Sequence, residues 1–267
     1  MNVEQLNQLQ TETWTSGDFP KMGVELSIAG ERLCESVPVL AGDRVLDVAT
    51  ASGNTAMAAA RRRARVTGID ITPALLERAK LRAAAEGLAI EFRRGDAMAL
   101  EFGDGSFDVV MSTFGAIFAA DPERTAAEMA RVCRPGGKIA MGNWTPEHMF
   151  GKLFRMLARY SPPGRPVDLP MSWGDEALLR QRLGPHVKDF RIKREVVRFR
   201  AASAADWVEF MKQYFGPAIA AFGYSTEERQ RELQREMTEL IMEYNGSPNG
   251  TVLSEAEYLD VVATRRG

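Results

Sequence analysis

Two cysteines and two histidines are all that 267 residues offer of the softer metal ligands. Cys34, Cys133, His148 and His186 do not fall at ligand spacing, so no metal site is expected, and two thiols cannot build a disulfide framework. No apolar run approaches the roughly 18 residues of a membrane-crossing helix, and the opening stretch MNVEQLNQLQTETW has no apolar signal core. A cytoplasmic protein with no membrane partner is the expectation. An excess of one charge is missing as well. With 34 basic and 36 acidic residues the net charge is −2, which gives no general attraction to nucleic acid. The run Arg61, Arg62, Arg63, Arg65 falls at a helix end, where cations complement the dipole, and reads as a solvated terminus. Also absent are the G-x-G-x-x-G fingerprint of pyrophosphate binding and the tetrapeptide N/D-P-P-Y/F.

What is present is an ordinary globular composition, 45% hydrophobic and 26% charged, long enough for one large domain or a domain with insertions. The chain is organised around Arg44 to Ala60, RVLDVATASGNTAMAAA. Val45, Leu46, Asp47 and Val48 read as a buried strand, Ala49, Ala51, Ser52 and Gly53 as a small-residue turn, and the alanines from Asn54 onward as a helix. That is the first βα unit of an open parallel sheet, whose ligands sit at the carboxyl ends of the strands. An acid inside the turn region repels a pyrophosphate and suits a cationic or zwitterionic ligand. A second strand, RVTGID, ends in Asp70, placed to accept both hydroxyls of a ribose, with Ile71 beside it. Thr72 and Pro73 then open a helix with a Leu75, Ala79, Ala83 stripe.

The string D-x-A-x-A-x-G beginning at Asp47 resembles the first motif of the class I S-adenosylmethionine-dependent methyltransferases, usually D-x-G-x-G-x-G, with Ala49 and Ala51 as departures. If either position takes a left-handed φ, its alanine costs about 1–2 kcal/mol. RVCRPGGKIAMGNW matches the helix, proline-glycine turn and strand that follow the cofactor motifs in that family, and the resemblance covers residues 40–145 well. It implies S-adenosylmethionine as cofactor, S-adenosylhomocysteine as product, and no metal. It further implies that Asp47, Ala49, Ala51, Gly53, Asn54, Asp70 and Ile71 surround the cofactor, that Asp96 and the Ala97 amide meet the adenine, and that Ser112, Thr113 and Phe114 stand between cofactor and substrate. The fold implied is α/β: a doubly wound, Rossmann-like, seven-stranded, mostly parallel sheet with helical cap insertions.

In chain order, residues 1–43 are expected to form a helical segment closing over the cofactor. Trp14 and Lys21 face the ligand or, for Trp14, pin the segment to the core. Residues 44–145 form the cofactor core, with strands near 89–97, 107–112 and 139–144 and each strand followed by a helix. Closing strands fall at about 187–200 and 251–264, the last antiparallel if the family topology holds. Insertions at 146–185, including the proline-rich SPPGRPVDLP, and at 201–250 carry the cap. The latter is read as two amphipathic helices with capping boxes at Ser203 and Ser225. Cys133 and Asp108 read as structural.

Methyl transfer from a sulfonium needs positioning above all, and a base only when the acceptor is not already nucleophilic. His148 is the candidate base, and Phe114, His148, Trp173 and Tyr214 the candidate substrate contacts. The density of Met and aromatic residues in the insertions points to a small apolar or aromatic acceptor, natural-product or quinone-like. The alternatives are a relative that catalyses cyclisation or elimination or only binds the cofactor, and, third, an NAD-dependent oxidoreductase. A homodimer stays open.

Overall fold

The computed structural model describes residues 3–163 and 168–267. The chain opens with helices α1 (Val3–Thr15) and α2 (Phe19–Ser36). It then alternates β1 (Arg44–Val48), α3 (Asn54–Arg61), β2 (Arg65–Asp70), α4 (Pro73–Ala85) and β3 (Ile90–Arg94). β4 (Phe107–Thr113), α5 (Pro122–Val132) and β5 (Cys133–Trp144) follow. One seven-stranded sheet results, in the order β3-β2-β1-β4-β5, continued by the two strands described below. β1 lies in the middle of the first five strands, parallel to β2 on one side and β4 on the other, with Val45 opposite both Val66 and Val109.

Consecutive apolar residues make these strands because both faces are covered. On β1, Val45 joins one core cluster with α2, α3 and α4, while Leu46 and Val48 join the other with α5. On β4, Val109 and Met111 face the first cluster and Val110 the second. Cys34 and Cys133 are buried thiols whose pKa burial pushes up to about 12, which makes them core residues and poor nucleophiles. Asp108 bridges Arg44 and Arg134 at the base of the sheet, and Arg61 and Arg62 pair with Glu31, Glu35 and Glu86. The first two arginines of the basic run are thus a paired helix end, and Arg63 and Arg65 are exposed.

The later half departs from its sequence reading in several places. The link between β3 and β4 contains no helix, so strand and helix do not alternate five times. β5 begins at Cys133 rather than near Ile139, because Gly136, at φ 73°, lets the Arg134–Lys138 turn continue as a strand with a register irregularity opposite β4. Between β5 and β6 (Val187–Ala201) lie α6 (Met149–Arg159), α7 (Asp168–Met171) and α8 (Glu176–Leu183). The central residues of SPPGRPVDLP, 164–167, are outside the described residues.

Between β6 and β7 (Val252–Arg265) lie three helices rather than two: α9 (Ala204–Tyr214), α10 (Gly216–Tyr224) and α11 (Glu227–Glu243). Gly216-Pro217 starts the extra helix, with proline in its first turn where no amide is needed. Ser203 caps α9 by accepting from the Asp206 amide, as read from the sequence. Thr226, not Ser225, caps α11, since the Ser225 hydroxyl donates instead to the Tyr160 carbonyl. β7 runs antiparallel between β5 and β6 and completes the sheet.

The N-terminal segment docks on the junction of α9 and α10 through two glycines. A Cβ on Gly216 would lie 2.0 Å from the Thr13 carbonyl oxygen, and one on Gly17 would lie 2.3 Å from that of Tyr214. Only bare backbone permits that approach, and it brings α1 across the carboxyl ends of the strands.

Candidate functional site

A cavity opens at the carboxyl ends of β1 to β5, and the two sides of its wall differ in chemistry. Over β1, β2 and β3 stand three carboxylates: Asp47, Asp70 and, just past β3, Asp96. Over β4 and β5 stand rings: Phe114 after β4, Trp144 at the end of β5, and Phe150 and Phe154 from α6. The N-terminal segment closes it with Asn7, Gln10, Trp14 and Phe19, and Phe215 enters from the α9–α10 junction.

The carboxylates do two jobs, the first of which is holding the turn. Asp47 is 1% exposed; its Oδ2 accepts from the Thr50 hydroxyl at 2.5 Å and from the Ala56 amide at 2.9 Å. Asp70 Oδ2 accepts from the Ala51 amide and Oδ1 from the Thr72 amide, both at 2.8 Å. Asp70 also lines the cavity, and a carboxylate accepts more than one donor per oxygen, so a ribose diol is a fitting ligand. Burial pushes the Asp47 carboxyl up to about 7, partly offset by these donors, and burial also raises Asp70. Asp96 accepts from the Met98 amide and from Asn7 Nδ2, the latter tying α1 over the cavity.

The turn itself is strained. Ala49 at φ 55° and Ala51 at φ 49° are both left-handed, as is Phe114 at φ 63°. Among the described residues, three of the six non-glycine residues with positive φ therefore line one cavity, the pattern of strain held at a functional site. Gly115 must be bare, because a Cβ there would lie 2.3 Å from the Ala49 carbonyl oxygen. Asn54 opens α3 with its Nδ2 donating to the Gly23 carbonyl; its Oδ1 is buried without a partner in the same wall. Such an orphaned acceptor is suited to a ligand's N–H.

Of the residues singled out from sequence, Trp14, Asp47, Ala49, Ala51, Asn54, Asp70, Ile71, Asp96, Ala97, Thr113 and Phe114 line the cavity. Six do not. Gly53 is the left-handed residue before α3, and Ser112 spends its hydroxyl on the Val48 carbonyl and the Ala116 amide. Lys21 is exposed and sits 4.2 Å over the ring of Tyr214, so both are occupied outside the wall. Trp173 is wholly buried beneath the Arg182 guanidinium. His148, the candidate base, turns away: its Nδ1 accepts from the Glu257 amide at 3.0 Å and its ring packs on Tyr244. Burial lowers its pKa, and it reads as a structural acceptor.

Sequence reasoning missed Asn7, Gln10, Thr50, Thr55, Phe118, Phe154 and Phe215. The α1 residues carried a usable signal, since a polar helix face close to Trp14 has to meet something polar. Among the described residues, none that lines the cavity is Lys, Arg, His, Glu, Tyr or Cys, and no group of three or more His, Cys, Asp or Glu is placed to hold a metal. No described helix is long and apolar enough to cross a membrane.

A family model described as a methyltransferase domain matches residues 46–141, the strands and turns that carry the acidic half of the cavity. The chain belongs to the class I S-adenosylmethionine-dependent methyltransferase family. The uncharacterised protein Rv1403c of Mycobacterium tuberculosis is 41% identical over 239 residues, 87% of each chain. A demethylmenaquinone methyltransferase of Deinococcus radiodurans is 38% identical over 124 residues, 45% of this chain and 52% of that one. Among solved structures, the YcgJ protein from Bacillus subtilis superposes with TM-score 0.59 at 18% identity, covering 89% of this chain and 98% of that one. The [4+2]-cyclase SpnF gives TM-score 0.54 at 21% identity, covering 90% and 81%. At such identities the structural likenesses speak for the fold alone.

Three outcomes follow. Ala49→Gly and Ala51→Gly each raise stability by up to about 1 kcal/mol in urea titration, because relief of the left-handed strain exceeds glycine's extra unfolded-state entropy; a loss of stability would mean the alanines are unstrained. Asp47 binds its proton more tightly folded than unfolded, so it draws stability down as pH rises from about 4 to about 7. Asp47→Asn keeps the acceptor for Thr50 and Ala56, and its stability relative to the parent is expected to grow by roughly 2–3 kcal/mol from pH 5 to pH 8 in the ligand-free protein; a pH-independent difference would contradict the assignment. His148→Ala strands the Glu257 amide and costs about 1–3 kcal/mol. It leaves the affinity for S-adenosylhomocysteine unchanged, and a loss of binding would return His148 to the site.

Proposed function

We propose that this protein is a cytoplasmic S-adenosylmethionine-dependent methyltransferase acting on a small, apolar or aromatic organic molecule. The observation that carries this reading is the row of three acids at the tips of β1, β2 and β3 in a wall without a cationic side chain among the described residues. Such a wall suits a ligand with cationic groups and disfavours the pyrophosphate of NAD, whose two negative charges would be buried beside like charge.

The residues fit the cofactor group by group. Asp70 takes the ribose hydroxyls, Asp96 the adenine amine, and Asp47 with the unpartnered Asn54 Oδ1 the amino-acid ammonium. When bound, the cofactor supplies a methyl group on a positively charged sulfur. The chain's own part is to position the acceptor, exclude water with the aromatic side, and hold the turn rigid through Asp47 and Asp70. The demethylmenaquinone methyltransferase relative, which matches 45% of this chain, is compatible with an aromatic acceptor. No metal is required by this scheme.

Titration calorimetry tests it. S-Adenosylmethionine and S-adenosylhomocysteine should bind and NAD should not. Asp70→Ala should weaken the adenosyl compounds by more than tenfold through loss of charge-assisted hydrogen bonds. Unchanged affinity in Asp70→Ala would remove the ribose assignment; binding of NAD alone would remove the methyltransferase reading. Binding of S-adenosylmethionine with no turnover on any acceptor would favour a cyclase, an eliminating enzyme or a binding protein on the same fold.

A further inference from the structure

The aromatic side of the cavity has a construction of its own. Trp14 packs on Phe19, Phe118 and Phe215 with ring centroids 5.3, 5.1 and 6.0 Å apart, all near edge-to-face. Phe154 closes the circuit against Phe118 at 5.3 Å and Phe215 at 5.9 Å. Five rings from α1, α2, the loop after β4, α6 and the α9–α10 junction thus form a connected collar, and all five line the cavity. Because neighbouring rings are tilted to one another, the collar is not a flat slot for one stacked plane.

Resting on the methyltransferase reading above, we propose that this collar binds an apolar amine, as free base or as ammonium, and rejects anionic acceptors. Two features lead to it. Ring faces attract an ammonium, and groups of them are a recurrent way of holding one. A carboxylate, sulfonate or phosphate entering the collar is buried in a cavity whose charged lining, among the described residues, consists of Asp47, Asp70 and Asp96, with no Lys, Arg or His to neutralise it. The chemistry of the acceptor agrees. A phenol or thiol must lose a proton to become a good nucleophile, and the collar offers no group to take it. An amine bound as ammonium gives its proton to solvent before it can react, whereas one entering as free base already carries the lone pair it needs, and the proton of its methylated product leaves to solvent.

The test uses two small probes of matched shape and opposite charge, phenyltrimethylammonium and benzenesulfonate, titrated calorimetrically into protein saturated with S-adenosylhomocysteine. Loading with that compound is checked first. Failure to load overturns the parent reading and this proposal together, whereas loading followed by the wrong charge preference overturns only the proposal. The expected result is that the cation binds at least tenfold more tightly than the anion. Equal or tighter binding of the anion, or binding of neither, contradicts it. Phe154→Leu removes one ring from the collar at a half-buried position away from the acids. It should weaken the cation by threefold or more and leave the affinity for S-adenosylhomocysteine unchanged. An unchanged cation affinity would take the collar out of the account.

Discussion

Everything at the ligand end of this protein depends on two buried carboxylates that hold a strained turn. The peptide after β1 must reverse and enter α3 within a few residues, and Ala49 and Ala51 do so in the left-handed region that L side chains disfavour. Asp47 and Asp70 keep it there by accepting from Thr50, Ala56 and Ala51, so the acids that suit a cationic ligand also carry the backbone that surrounds it. Burying both acids is itself unfavourable, as their raised proton affinity shows. A ligand bearing positive charge would relieve part of that cost, and an anionic one would add to it.

The second constraint is the division of the cavity along the sheet. Strand order places β1, β2 and β3 side by side and β4 and β5 beyond them, so the acids gather at one end and the rings at the other. The chain reaches this arrangement from segments far apart in sequence. Trp14 and Phe215 meet 6.0 Å apart only because glycines at 17 and 216 let α1 and the α9–α10 junction approach backbone to backbone.

The acidic half was legible in the sequence because it is local: each acid lies within two residues of the end of its own strand, and the alternation of strand and helix fixes which end of the sheet it occupies. Asp47, Asp70 and Asp96 were found for that reason. The aromatic half was not legible, because its members come from five elements whose juxtaposition depends on tertiary docking. Trp14 and Phe114 do line the cavity, but Trp173 and Tyr214 were chosen over Phe154 and Phe215 although all four are aromatic residues in the same insertions. Nothing local separates a ring that faces a cavity from one that faces the core. His148 misled for a similar reason. Its place after β5 put it at the right end of the sheet, while its orientation was decided by the unpaired Glu257 amide on the neighbouring strand β7. The missed helix α10 had a local sign, Gly216-Pro217, overlooked because the two flanking helices accounted for most of the segment.

The central claim is that the acidic half of the cavity holds an adenosyl ligand, and a crystal structure of the protein soaked with S-adenosylhomocysteine tests it most directly. The account predicts density across the tips of β1, β2 and β3, with the ribose hydroxyls on Asp70, the adenine beside Asp96 and the sulfur directed toward the rings over β4 and β5. Density elsewhere, or an adenosyl group reversed so that its base lies among the rings, would contradict it.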